Sequence, residues 1–184
     1  YLEQVNEVIQ RMKGSSVKTV IFASSTSVYP DDCTLAAEDG AVNMMDPRSI
    51  VLAAAEDLLQ SNKSFKTVIL RFSGLYGGTR RIGKFLAGKK DIPDADSPVN
   101  LVHLDDCVAI VTEIIQRNIR DGIFNVCADQ HPLRRELYTK AAQSLGLPAP
   151  QFSAVSSAKA KIVSNKKLKE LLGYQFIHPN PIEL

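Results

Sequence analysis

The sequence has no tryptophan, only three cysteines, and almost no charge of one sign left over. Lys plus Arg is 22 against 20 for Asp plus Glu in 184 residues, a net charge of +2. Each shortage excludes something. So even a balance leaves no electrostatic footprint for a nucleic acid or an anionic membrane. Cys33, Cys107 and Cys127 are an odd number at wide spacings. They form neither a disulfide framework nor a zinc signature, and a reducing, cytosol-like compartment is the expectation. No apolar run nears the roughly 18 residues that span a bilayer. No basic start followed by an apolar core marks a secretory signal. What remains is 45% hydrophobic and 23% charged, which fits a folded globular chain and argues against global disorder.

The chain opens on Tyr1, inside an amphipathic pattern. Leu2, Val5, Val8, Ile9 and Met12 share one helical face, so the first helix covers 1–13 and stops at Gly14. A core helix that starts uncapped is expected to have residues upstream of it. Apolar runs at 17–23 and 67–72 read as buried strands, with shorter strands at 100–104, 123–126 and near 152–155. Helices are expected over 46–60 (Asp46 as cap, Pro47 first), 105–119 (capped by Asp105), 133–145 and 166–172 (capped by Asn165, ended by Gly173). Strands alternating with helices predict an α/β fold with a parallel sheet covered on both faces.

Several segments could carry chemistry. Ser24, Ser25, Thr26 and Ser27 follow the first buried strand. In an open α/β sheet that is where ligands sit, and hydroxyls there bind sugars or carbonyls, or else satisfy the backbone of a turn. The glycine-bearing stretch from Phe72 to Gly78 follows the second strand and reads as a turn that lets a ligand approach the backbone. Gly78 to Lys84 matches G-x-x-x-x-G-K, but Phe85 stands where a phosphate loop needs Ser or Thr for magnesium, so the match is a decoy. Arg80, Arg81 and Lys84 either meet a phosphate or form a solvated face. His103 and Asp105 flank a strand-to-helix junction, and His131 and His178 complete no metal-ligand spacing. Cys33 sits in a loop with nothing beside it to lower its pKa.

Four segments in this order, VIFASSTSVYP, VILRFSGLYGG, NLVHLDD and IFNVCADQHP, followed by the tail VSNKKLKELLGYQF, resemble the NAD-dependent epimerase/dehydratase branch of the extended and atypical short-chain dehydrogenase/reductases. The resemblance spans nearly the whole chain. It implies a partial Rossmann-type parallel sheet flanked by helices, with a small C-terminal α/β substrate lobe. Residues 1–130 would be the C-terminal part of the NAD(P)-binding domain, with substrate-lobe insertions near 79–100, and 131–184 the lobe. It implies NAD or NADP as cofactor and a sugar nucleotide or similar polar small molecule as substrate. Ser25 matches the family's catalytic Ser/Thr. Ser24, Phe72, Ser73, Gly74 and Leu75 match cofactor-side positions. Thr26, Arg80, Arg81 and His103 match substrate-side positions.

Two departures stand out. The family's Tyr-x-x-x-Lys is replaced: Arg48 stands at the Tyr position and Leu52 at the Lys position. Arg has no accessible neutral form and Leu has no proton, so the resemblance implies either an atypical oxidoreductase or a cofactor-binding sensor or scaffold without catalysis. The family's glycine-rich phosphate loop is absent from these 184 residues. The family also pairs copies through a helix pair. The face Ile50, Val51, Ala54, Leu58 either serves such a homodimer or is core, and core is the expectation.

Overall fold

Apolar β-branched runs make the sheet, and one charge inside them sets its layering. The computed structural model describes residues 1–31, 35–157 and 160–183, so Cys33 lies outside the described residues. In chain order the elements are α1 (Leu2–Met12), β1 (Thr19–Ser25), a 3-10 turn (Thr26–Val28), β2 (Leu35–Ala36), α2 (Pro47–Gln60), β3 (Lys66–Phe72), β4 (Gly74–Tyr76), α3 (Gly83–Leu86), β5 (Leu101–His103), α4 (Leu104–Gln116), β6 (Gly122–Val126), α5 (Arg134–Ser144), β7 (Ile162–Val163) and α6 (Lys166–Leu172). The main sheet is parallel with order β1-β3-β6, and two small parallel pairs, β2-β7 and β4-β5, build the region beyond its C-terminal edge.

The central strand β3 shows why the sheet is covered on both faces. Val68 and Leu70 point into a cluster with Ile110, Ile114, Phe124, Val126, Leu168 and Leu172, under α4 and α6. Thr67 and Arg71 serve the opposite face, where Thr67 Oγ1 donates to the Leu59 carbonyl and Arg71 meets Glu56 of α2. Ile9, Leu59 and Phe65 close that face with α1 and α2. The period-two alternation thus sends Val68 and Leu70 to one layer, and Thr67, Ile69 and Arg71 to the other, where the two polar residues have specific partners.

Most helix ends follow the expected chemistry. Asp46 caps α2 by accepting from Arg48 N, with Pro47 in the first turn. Gly173 ends α6 in the left-handed region. Four expectations need correction. His103, not Asp105, caps α4: its Nδ1 accepts from the Asp105 amide. Asn165 makes no cap bond, because its side-chain amide donates to the Cys127 carbonyl and to Asp129. The stretch after β3 is not only a turn, since Gly74 to Tyr76 pairs with β5 before the chain turns at Gly77. The strand near 152–155 reduces to a single bridge between Ile92 and Phe152.

The buried face of α2 also differs from the apolar pattern. Ser49, Ala55, Glu56 and Leu59 are buried, while Ile50 and Leu58 are exposed and Val51 and Ala54 half-buried. The Ile50–Leu58 strip is therefore not core. One edge of β1 has no strand partner among the described residues, and its Val20, Ile21 and Phe22 are only half-buried. Leu104, Val108 and Ile115 of α4 are exposed as well. Among the described residues no helix is long and apolar enough to cross a membrane.

Candidate functional site

Beneath the end of β1 lies a buried polar layer. Ser24, Arg71 and Asn125 sit side by side on β1, β3 and β6. Arg71 Nη2 and Nε donate to the Glu56 carboxylate at 2.6 to 3.2 Å, and Ser24 Oγ donates to Glu56 Oε1. Arg71 Nη1 donates to the Tyr29 hydroxyl at 2.7 Å, which donates to Asn125 Oδ1 at 2.8 Å. Burial raises the Tyr29 phenol above its ordinary range, with Arg71 pulling the other way. The Asn125 amide then ties Ala36 and Ser164 to the same layer. This network fixes the chain where β1 turns into the hydroxyl cluster.

Ser25 is the next residue and points to the opposite face. Its Oγ accepts from the Ser27 amide at 3.1 Å, which leaves the hydroxyl proton free to donate. Ser49 Oγ of α2 donates to the Ser27 carbonyl and pins the turn. Ser25, Thr26 and Ser27 line a cavity of about 380 Å³ with Pro98, Asn100, Arg134, Tyr138 and Lys161. Asn100 staples the wall, accepting from Val163 N and donating to the Lys161 carbonyl.

Phe72 and Leu75 line a neighbouring apolar cavity of about 340 Å³, with Ala23, Tyr76, Leu104 and Cys107. Ser73 is buried beneath it and Gly74 is exposed. A Cβ on Gly74 would stand 2.7 Å from the Leu101 side chain, so only glycine keeps β4 against β5 here. Cys107 and Cys127 are buried thiols pushed up to about 12 by desolvation, which makes them poor nucleophiles.

Arg80, Arg81 and His103 gather in a third cavity of about 420 Å³, with Tyr76, Ile82, His178 and Glu183. The His103 and His178 rings stack at 3.8 Å, and Asp105 Oδ2 lies 3.3 Å from a nitrogen of each. The His103 Nδ1 lone pair is taken by the Asp105 amide, so that nitrogen caps α4, while His103, Asp105 and His178 still bring one possible ligand atom each within 4.8 Å of one another. The phosphate-loop resemblance fails on geometry, since α3 after Gly78 is only four residues long.

The structure therefore splits the residues singled out in the sequence. Ser25 and Thr26 share one cavity, Phe72 and Leu75 a second, and Arg80, Arg81 and His103 a third. Ser24 faces the buried layer, where Glu56 takes its hydroxyl. Arg48 stands in solvent, its side chain 94% exposed and its Nε 3.5 Å from Asp46, so it does not join Ser25. Leu52, at the other departed position, packs beside Val28, Tyr29 and Val163. Sequence reasoning missed Arg134, Tyr138 and Lys161, and it set His178 aside. None of them lies in a pattern of its own, and only the fold of the C-terminal region brings them to the site.

Two expected outcomes arise here. Gly77 has φ +104, and a Cβ there would meet His103 Nε2 at 2.4 Å. Gly77→Ala should lose about 1–3 kcal/mol through strain and displacement of the ring, read by thermal unfolding. His103 is held below its usual pKa by burial and then by His178, and His131 by burial. The unfolded chain therefore binds more protons just below the ordinary histidine value, so stability rises with pH in that window and is lost as the pH falls through it. The melting temperature should drop between about pH 7.5 and about pH 5.5, and His131→Gln should flatten part of the drop.

The chain matches no family model. Protein YeeZ of Escherichia coli K12 is 36% identical over 183 residues, covering 99% of this chain, and the chain spans 66% of the length of YeeZ. A solved structure assigned as an NAD-dependent epimerase/dehydratase, from Methylobacillus flagellatus, superposes with a TM-score of 0.79 at 27% identity, over 98% of this chain and 66% of that one. The chain is similar in sequence and fold to that epimerase/dehydratase structure, and it spans just under two thirds of the length of both relatives. The same fold recurs in UDP-glucuronic acid 4-epimerase from Bacillus cereus in complex with NAD, with a TM-score of 0.78 at 19% identity, over 94% of this chain and 61% of that one.

Proposed function

We propose that this protein is an NAD(P)-dependent epimerase/dehydratase-like oxidoreductase acting on a sugar nucleotide or similar polar small molecule. The observation that carries the reading is Ser25, held at the C-terminal end of β1 with a free hydroxyl proton facing a polar cavity. The dinucleotide, when bound, supplies the hydride acceptor or donor. Its nicotinamide end fits the apolar cavity of Phe72 and Leu75, next to Ser25. Its pyrophosphate end finds no glycine-rich turn in these residues. Strands carrying such a turn would add along the open edge of β1, where Val20, Ile21 and Phe22 are half-buried. In this division residues 1–130 form the C-terminal part of the cofactor domain, with insertions near 79–100, and 131–184 belong to the substrate lobe. Two copies would pair through the outward strip of Ile50 and Leu58.

Ser25 donates to the reacting oxygen of the substrate and stabilises negative charge as it develops there. Arg80 and Arg81, in the third cavity, suit the phosphates of a sugar nucleotide. A second reading, a dinucleotide sensor without catalysis, is favoured by Arg48 in solvent and Leu52 in the core. One experiment decides between them: titration of the intact protein with NADH and NADPH by fluorescence, followed by hydride exchange on a sugar-nucleotide panel. Binding with turnover is the expected result. Binding without exchange selects the sensor, and no binding removes both readings.

A further inference from the structure

Arg134 opens α5 and lines the Ser25 cavity, yet its Nε is shielded from solvent and has no hydrogen-bond partner among the described residues. A sequestered guanidinium N–H without an acceptor is costly and uncommon, and it marks a place where an acceptor belongs. The rest of the cavity fits that need. Tyr138 lies four residues on, on the same face of α5. Burial raises its phenol above the ordinary value while Arg134 pulls it down, and the phenol stays protonated as a donor at neutral pH. Ser25 offers a third donor.

Lys161 does not compete for this role. Its Nζ donates to the Tyr29 carbonyl at 2.8 Å and pairs with Asp31 at 3.0 Å, which offsets its charge. No carboxylate lines the cavity among the described residues. Asp94 feels the Arg134 charge, but its carboxylate is held first by the amide and hydroxyl of Ser157. The polar atoms facing the cavity are thus mostly donors, and a neutral sugar would leave the guanidinium without an anionic partner.

We propose that this cavity binds an oxyanion of the substrate, a carboxylate or phosphoryl group on the reacting sugar-like unit, with Arg134 Nε and the Tyr138 hydroxyl as its donors. The proposal rests on the cavity being the substrate pocket, as in the function proposed above. It narrows the substrate to one that carries an acid close to the carbon nearest Ser25. That acid is distinct from the phosphates suited to Arg80 and Arg81 in the third cavity.

The test uses the intact protein with D-glucuronate, D-glucose 1-phosphate and D-glucose as probes, read by calorimetry and by the Arg134 Nε–H resonance in nitrogen-15 NMR. Saturable binding of glucuronate or the sugar phosphate with a shift of that resonance, and no binding of glucose, is expected. Which acid binds more tightly assigns the oxyanion as carboxylate or phosphoryl. Arg134→Ala should weaken acid binding about tenfold or more. Arg134→Lys, which keeps the charge and loses the Nε–H, should weaken it less. Glucose binding as tightly as the acids, an unmoved resonance in the acid-bound protein, or unchanged binding in both Arg134 variants overturns the proposal. The NADH titration reads the oxidoreductase assignment separately. Acid binding without dinucleotide binding removes that assignment and leaves this one, and dinucleotide binding with equal affinity for glucose does the reverse.

Discussion

Arg71→Ala is expected to cost about 3–5 kcal/mol of folding stability, a large part of the roughly 5–15 kcal/mol that holds an ordinary domain together. The Arg71 and Glu56 side chains are only 5% and 3% exposed. Removing the guanidinium strands the Glu56 carboxylate away from water with only the Ser24 hydroxyl left of its named donors. It also takes the Nη1 donor from the Tyr29 hydroxyl. The cost is that of an uncompensated buried charge, not the net contribution of the pair. Replacing both residues, as in Arg71→Met with Glu56→Met, should therefore recover much of the loss, because the desolvation penalty of both ions disappears with them. Urea unfolding of the two single variants and the double variant forms a cycle that measures this. A single-variant loss below about 1 kcal/mol would mean that water reaches the carboxylate.

The same residue shows what the sequence reveals and what it withholds. An arginine inside the apolar run VILRF is visible as an anomaly, and the run still forms the central strand. Its partners Glu56 and Tyr29 lie 15 and 42 positions away, and no local period links them. In α2, hydrophobic periodicity picks Ile50, Val51, Ala54 and Leu58, whereas the fold buries Ser49 through its bond to the Ser27 carbonyl and Glu56 through bonds from Ser24 and Arg71. A pattern rule weighs apolarity and cannot see a bonded polar side chain as core. The parallel sheet and the helix cover were legible because they rest on apolar runs and helix-start residues. The site was legible only where its residues follow directly on a strand, as Ser25 and Thr26 do. Arg134, Tyr138 and Lys161 were not, because the C-terminal region folds back over β1 by contacts such as the Lys161 ammonium on the Tyr29 carbonyl.

Ser25→Ala should lower turnover of the intact protein about 10²–10³-fold, as expected for removal of one donor to a developing oxyanion, while leaving its stability nearly unchanged. The neighbouring Ser24→Ala should do the opposite. The two serines are adjacent on β1 and point to opposite faces. Ser24 Oγ is buried against Glu56, so its loss removes a donor from the layer that Arg71 holds and lowers stability by about 1–3 kcal/mol. Ser25 Oγ accepts only from the Ser27 amide and keeps its proton for the cavity. Arg48→Ala should change neither quantity, because that side chain is in solvent. Steady-state hydride transfer on the sugar-nucleotide panel, with kcat and KM separated, reads the rate, and urea unfolding reads the stability. A Ser25→Ala protein that turns over at the parent rate would take Ser25 out of the chemistry. An Arg48→Ala protein that loses turnover would require α2 to swing its first turn toward the cavity. The hydrogen bond from Ser49 to the Ser27 carbonyl, one residue beyond Arg48, opposes that motion.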